Sequence, residues 1–295
     1  MIDLHTHTYY SDGTLSPRAL AAMAKERGID TLAITDHDGV DGLAEGRAAA
    51  EALGIRFIDG VELSARLLLE QGREEPAYAY MHILGYGIHG EFPPLLEKLN
   101  DIRERRRQRN AKMLSVLADM GYALDRRDIQ VYPEQEYVGK PNFARALAKR
   151  GYAADTAEAF ASERMMAAPG IKAIHREKIE AEEAILLIGA AGGQAVLAHP
   201  MKVAYKGRSQ EDREAFFARL AHIAARLKEF GLSGMECCYS AHTQEETLRL
   251  WELAGKLELF STAGSDYHGP GMKKGVRLGE PLYGWEACEP PDSWL

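Results

Sequence analysis

The sequence predicts an α/β fold: parallel strands with helices outside them, closing into one barrel-like domain that carries a helical insertion. Short apolar segments alternate with helical ones in the first third of the 295 residues, and the same alternation resumes after residue 175. Between these blocks, residues 91–175 show helical periodicity and no convincing buried strand. The expected organisation is a barrel from residues 1–90 and 176–295, interrupted by a helical subdomain over residues 91–175.

Each element has its own signal. Residues 2–5 read as a strand and residues 17–27 as a helix capped by Ser16. A second strand (31–35), a second helix (40–53) and a third strand (55–63) complete a β-α-β-α-β order, and residues 78–86 look like another strand. Within the insertion, residues 92–121 read as one long helix and residues 141–150 as a shorter one. Beyond it come a helix (178–189), a strand (194–198), a helix (212–230), a strand (234–238), a helix (243–256) and a strand (258–262). There is no internal repeat and no low-complexity linker.

Composition narrows the class. A hydrophobic fraction of 46% and a charged fraction of 27% suit a chain that buries a full core, which excludes intrinsic disorder. No apolar run approaches the roughly 18 to 20 residues of a membrane span, and the start of the chain lacks a basic segment followed by an apolar one, so a cytoplasmic location away from membranes is expected. Cys237, Cys238 and Cys288 are too few and too poorly spaced for a disulfide framework or a thiolate zinc site. A formal charge of −8 argues against clinging to duplex nucleic acid.

The chemistry is concentrated at strand ends. Of ten histidines, His5, His7, His37, His82, His199 and His268 fall at or just beyond the C-terminal ends of expected strands, where α/β barrels assemble their active sites. Asp12, Glu62 and Asp266 accompany them, and Asp36 and Asp38 flank His37. One histidine at a strand end is ordinarily a plain hydrogen-bonding residue. Six of them, with carboxylates at the same end, argue for a metal centre. In an extended segment residues i and i+2 face the same side, so His5 and His7 can address one ion, and Asp266 and His268 neighbouring ones. Imidazole and carboxylate without thiolate suit Mn2+, Zn2+ or Fe2+. His89, His175, His222 and His242 lack such a pattern.

These motifs, His5-Thr6-His7 with Ser11-Asp12-Gly13, Thr35-Asp36-His37, Gly60-Val61-Glu62, Ala198-His199-Pro200 and Gly264-Ser265-Asp266-Tyr267-His268, resemble in order those of the PHP (polymerase and histidinol phosphatase) family. The resemblance implies a distorted seven-stranded TIM-like (β/α)7 barrel and phosphoester hydrolysis at two or three divalent ions, Mn2+ first. It places His5, His7, Glu62 and Asp266 on one ion, Asp12, His37, His199 and His268 on a second, and bridging Glu62 with His82 on a third. The helical insertion resembles the branch of nucleoside-3′,5′-bisphosphate phosphatases and 5′-3′ exoribonucleases. Many relatives carry a histidine where Gly139-Lys140-Pro141-Asn142 has Asn142, a poorer ligand, so the third ion is expected to be the weakest held.

Such ions generate hydroxide near neutral pH and neutralise charge on phosphoryl oxygens, so attack by metal-bound hydroxide is expected, with no side-chain nucleophile. The second recognition element is the run from Arg103 to Asn110. A charged run usually marks a solvated helix face. Here the stripe of Leu95, Leu99, Ile102, Met113, Leu117 and Met120 continues through Arg106 and through Arg109 or Asn110, which turns cations inward. A buried guanidinium needs an anion, either a substrate phosphate or an internal carboxylate. Arg103, Arg106, Asn110, Lys140, Asn142 and Arg145 are the expected substrate contacts, the insertion acting as a lid. Tyr80, Tyr86, Phe143 and Tyr239 are core residues or base-stacking ones.

A cationic lid over metals suits a substrate with one phosphate to cleave and another to anchor. The leading expectation is removal of the 3′-phosphate from a nucleoside 3′,5′-bisphosphate, giving 5′-AMP from the adenosine compound, with weak 5′-3′ exonuclease action on short single-stranded oligonucleotides admitted by the same geometry. The alternatives are a histidinol-phosphate phosphatase or other phosphomonoesterase, and a metal-dependent amidohydrolase acting on a C–N bond.

Overall fold

The structure is a computed structural model that describes residues 1–70, 77–174, 178–205, 212–280, 282–288, 290 and 294. Seven strands follow one another around the sheet: β1 (Ile2–Asp3), β2 (Thr31–Ile34), β3 (Arg56–Glu70), β4 (Ala77–Tyr86), β6 (Gln194–Leu197), β8 (Gly234–Tyr239) and β9 (Phe260–Gly264). Two short strands flank this path, β5 (Ile179–Glu180) beside β3 and β7 (Ala204–Tyr205) beside β4. The Leu4 N–H donates to the Ala263 carbonyl at 3.1 Å and Thr6 bridges Tyr267, so the first and last strands meet and the barrel is nearly closed.

Most neighbours are parallel, as the alternation predicts, but β4 runs antiparallel to both β3 and β6. Chain length explains the exception. Only residues 71–76 separate β3 from β4, whereas a parallel return needs a crossover of about a dozen residues or more. β3 is therefore longer than its sequence reading and pairs with β4 from Gly60 opposite Tyr86 to Glu70 opposite Ala77.

Helices α1 (Pro17–Glu26) and α2 (Leu43–Ala52) pack outside the first strands. Ser16 Oγ accepts from the Ala19 N–H at 3.1 Å, giving α1 the cap its sequence promised. The middle of the chain forms α3 (Pro93–Asp119), α4 (Arg126–Ile129), α5 (Lys140–Lys149), α6 (Thr156–Ala161) and α7 (Pro169–Lys172). These share an apolar cluster of their own, in which Met113, Leu117, Phe143, Leu147 and Ile171 are buried. Helices α8 (Ala181–Ala190), α9 (Arg213–Glu229) and α10 (Gln244–Lys256) then alternate with the later strands. No helix among the described residues is long and apolar enough to cross a membrane.

Inside the barrel, Leu4, Ala33, Ile58, Leu84, Val196 and Ala198 project from successive strands into one buried cluster. Trp294 closes that cluster, stacking on Tyr86 with centroids 4.9 Å apart and packing edge-on against Phe260 at the entry end of β9. The candidate ligands gather at the opposite rim, at the C-terminal ends of the parallel strands.

Candidate metal centre

The end of β1 supplies the first donors. His5 and His7 sit on either side of Thr6, whose hydroxyl donates to the Ala33 carbonyl at 2.6 Å and fixes which way the segment faces. Asp36 shapes the loop that follows: its carboxylate accepts from the Thr8 N–H at 2.7 Å, from the Thr8 hydroxyl at 2.6 Å and from the Ser11 hydroxyl. Gly13 completes the turn, because a Cβ there would lie 2.4 Å from the His7 carbonyl oxygen. Asp12 is thereby presented beside His268, with Oδ1 3.1 Å from Nε2.

Glu62 is the hub. Its Oε2 lies 2.9 Å from His37 Nδ1 and 3.3 Å from both His5 Nε2 and His7 Nε2. Its Oε1 lies 2.7 Å from His82 Nδ1 and 3.0 Å from His199 Nε2. Asp266 Oδ1 is 3.2 Å from His7 Nε2. Three residues at this rim, Asp38, His199 and Asp266, take positive φ values of 48°, 28° and 57° although none is glycine. Backbone strain of that kind is held only where surroundings over-determine it.

The donor set fits divalent ions. His5 Nε2, His7 Nε2, Asp12 Oδ1, His37 Nδ1 and Glu62 Oε2 are buried, point into the cluster, and make no hydrogen bond of good geometry among the described residues. Buried carboxylates and imidazoles left so are costly unless a cation joins them. The electrostatics agree. Burial opposes charge on His7, but the Asp266 and Glu62 carboxylates outweigh it and lift the imidazole to about 9. Glu62 is held well below the usual carboxylate range: burial works against this, and the imidazoles of His37, His82 and His5 prevail. Asp12 is held low against burial by His268 and His37. Burial dominates at His82 and pushes it down to about 3.

All nine expected ligands meet at this rim, in four overlapping groups. These are His7, Asp12, His37 and His268; His5, His199 and Asp266; His5, His7 and Glu62; and His37, Glu62 and His82. The grouping cuts across the expected partition: His7 stands with Asp12, His37 and His268, His199 with His5 and Asp266, and His37 also with Glu62 and His82. β9, β1 and β2 are neighbours, so their ends bring His268, His7, Asp12 and His37 together, while His199, after β6, reaches across the ring to His5 and Asp266.

Residues 3–84 match the PHP domain family. The chain is 32% identical over 272 residues to a 3′,5′-nucleoside bisphosphate phosphatase of Chromobacterium violaceum, covering 92% of this chain and 88% of that one. The chain belongs to the PHP domain family. This PHP protein is a metal-dependent phosphoesterase, and its cluster of buried imidazoles and carboxylates suits several ions. It is also 31% identical over 268 residues to a phosphoribosyl 1,2-cyclic phosphate 1,2-diphosphodiesterase of Eggerthella lenta, covering 90% of this chain and 94% of the relative. To a 5′-3′ exoribonuclease Rnm of Escherichia coli it is 32% identical over 272 residues, covering 91% and 85%. A solved structure of an amidohydrolase from Chromobacterium violaceum with bound sulfate and no metal superposes with a TM-score of 0.78 at 32% identity, covering 98% of this chain and 93% of that one.

Around the PHP cluster lies a cavity of about 390 Å3. Asp12, His37, Glu62, His82, His199, Asp266 and His268 line it, together with Tyr80, Arg145, Lys178, Lys202 and Lys273. Of the six expected substrate contacts, Arg145 lines this cavity and Arg103, Arg106, Asn110, Lys140 and Asn142 do not. The inward turn of the arginine helix is real: Arg106, Arg109 and Asn110 are buried on α3. Their anions and acceptors are internal. Arg106 pairs with Asp38 and lies over the Tyr137 ring at 4.3 Å, and Arg103 pairs with Asp41. Asn110 donates to the Val138 carbonyl at 3.2 Å. Asn142, 1% exposed, accepts from the Gly139 N–H and donates to the Ile129 carbonyl. Lys140, half-buried at the start of α5, is depressed by burial and by Arg109 and Lys172.

Several residues at the site carried weak sequence signals. Lys178 precedes β5, Lys202 follows His199 by three positions and Lys273 follows His268 by five. Lys202 and Lys273 reach Asp266 Oδ2 at 3.1 and 2.6 Å, and the Tyr239 hydroxyl donates to the same oxygen at 2.8 Å. Tyr137 stacks on His37 at 4.7 Å. Of the four aromatic candidates, Tyr86 and Phe143 are core and Tyr239 is buried against Asp266, while Tyr80 is 41% exposed at the cavity wall. Among the remaining histidines, His242 bonds the Cys237 carbonyl, and His175 lies outside the described residues.

Proposed function

We propose that the chain removes the 3′-phosphate from nucleoside 3′,5′-bisphosphates, converting adenosine 3′,5′-bisphosphate to 5′-AMP and phosphate with two or three divalent ions, Mn2+ first. The observation that carries this reading is the lining of the cavity, which combines seven of the nine candidate ligands with Arg145 and Lys178 from other elements. On this reading the pocket holds two anion sites. Its volume of about 390 Å3 falls at the lower end of the roughly 300 to 1,000 Å3 usual for small-molecule sites, which suits a mononucleotide.

In this reading His5, His7, Asp12, His37, Glu62, His82, His199, Asp266 and His268 hold the ions, with Glu62 shared between them. Divalent ions there supply activation of water and neutralisation of phosphoryl charge. Lys202 and Lys273, beside Asp266, orient and neutralise the phosphate to be cleaved. Arg145 and Lys178, whose ammonium lies over the Tyr80 ring at 4.9 Å, anchor the other phosphate. The segment comprising residues 91–175 acts as the lid that delivers Arg145. The same arrangement accepts the 5′ end of a short oligonucleotide.

A panel of adenosine 3′,5′-bisphosphate, a short 5′-phosphorylated oligoribonucleotide, phosphoribosyl 1,2-cyclic phosphate, histidinol phosphate and an aryl phosphate, assayed with added Mn2+, tests the proposal. Release of phosphate from the bisphosphate with 5′-AMP as product is expected. The 3′-monophosphate as product would reverse the assignment of the two anion sites, and a preference for the cyclic ester would replace the substrate.

A further inference from the structure

Glu236 lies in the middle of β8, between Met235 and Cys237, fully buried in a strand whose other side chains are apolar or thiol up to Tyr239. It belongs to none of the ligand groups. Its two oxygens nevertheless each reach one of them. Oε1 lies 2.9 Å from His5 Nδ1, and Oε2 accepts the backbone N–H of His199 at 2.6 Å. Close packing makes this possible: a Cβ on Gly264 of the adjoining β9 would sit 2.7 Å from Glu236 Oε1 and 2.3 Å from His5 Cβ.

We infer that Glu236 is a positioning residue for the metal centre, a single carboxylate that sets the tautomer of His5 and pins the strained backbone of His199. The inference rests on the metal-centre reading above. An ionised carboxylate only accepts hydrogen bonds, so the proton of His5 sits on Nδ1 and Nε2, 3.3 Å from Glu62 Oε2 and 3.6 Å from Asp266 Oδ1, is free to coordinate. His199 is the other half of the argument. Its φ of 28° is a conformation that non-glycine residues rarely hold, and Pro200 follows it directly. The bond from its N–H to Glu236 keeps that turn in place and its Nε2 near Glu62 Oε1. One side chain thus governs ligands contributed by two strands that are not neighbours.

Glu236→Gln separates this role from bulk. The amide has the same shape but one acceptor and one donor. It either faces the His199 N–H with its NH2 group, or faces His5 Nδ1 with it and forces the imidazole proton onto Nε2. The fully loaded protein would be challenged with chelators of graded strength, and released Mn2+ or Zn2+ measured beside the melting temperature. The variant is expected to hold the ion at least about 10- to 100-fold more weakly. A lower melting temperature with unchanged ion affinity and stoichiometry would overturn the inference, leaving Glu236 as part of the core only. A second measurement needs no variant. In zinc-loaded wild-type protein with 15N-labelled histidine, His5 is expected to carry its proton on Nδ1, and a proton on Nε2 overturns the inference even if Glu236→Gln does not fold. Failure of the wild-type protein to bind any divalent ion would instead remove the metal-centre reading itself.

Discussion

Arg106→Ala separates two accounts of the arginine helix. In the structure the Arg106 guanidinium pairs with Asp38 Oδ2, their side chains 3% and 0% exposed, and covers the ring of Tyr137, which in turn stacks on His37. Asp38 also accepts the Ser64 N–H at 3.0 Å and follows His37 directly, so the pair braces the turn that presents a candidate ligand. Removing one member of a buried pair costs about 3 to 5 kcal/mol, because the remaining charge loses its counter-ion. At roughly 2 °C per kcal/mol for a chain of this size, the melting temperature should fall by about 6 to 10 °C. Turnover should fall with it for every substrate, aryl phosphates included, since His37 loses its support. Asp38→Asn combined with Arg106→Met should recover much of the stability, as both charges are gone. Thermal unfolding beside steady-state kinetics on a bisphosphate and an aryl phosphate decides the matter. An unchanged melting temperature, with KM raised for the bisphosphate alone, would refute the argument and return Arg106 to the substrate.

Three other outcomes follow from the same geometry. Arg145→Ala and Lys178→Ala should each raise KM for the bisphosphate by about 10- to 100-fold, the loss of a charge-assisted bond of about 1.5 to 3 kcal/mol, and leave aryl phosphate hydrolysis near wild type; equal losses on both substrates would count against an anchor. Asn142→Ala should cost about 1 to 3 kcal/mol in thermal or denaturant unfolding, through the Gly139 and Ile129 groups it satisfies, with metal content unchanged by elemental analysis; loss of an ion would make it a ligand. For the metal-free protein, a His raised to about 9 gives stability that is full below about 6.5 and lost as pH rises through 9, whereas one depressed to about 3 gives stability present above 6.5 and lost as pH falls toward 3. His7 and His82 together therefore place the optimum near pH 6.5. Saturating divalent ion should abolish the alkaline decline, since a coordinated His7 is already deprotonated, and melting curves across pH 5 to 10 with and without ion would show whether it does.

Legibility in the sequence followed the range of the interactions concerned. The helix starts at Ser16 and Thr243 were visible because a cap is decided within four residues, and the strands because alternation with helices is local. The ligand rim was visible for a different reason. Imidazoles and acids placed after strands have one destination in a barrel, so position along the chain stood in for position in space. The antiparallel β4 was not legible in this way: strands read as 55–63 and 78–86 leave room for a crossover, and only the extension of β3 to Glu70 makes residues 71–76 too short a connection for a parallel return. The arginine helix shows where such reasoning ends. Periodicity correctly turned Arg106 inward, and burial correctly demanded an anion. Which anion depended on Asp38, 68 positions away, and on the left-handed backbone that aims it at α3. Burial of a charge fixes that a counter-charge exists, and only the tertiary path of the chain decides whether it comes from the protein or from the substrate. The same holds for Lys202 and Lys273: each follows a ligand motif closely enough to be found by asking which cations come after His199 and His268, yet their convergence on one oxygen of Asp266 requires β6 and β9 to lie on opposite sides of β8.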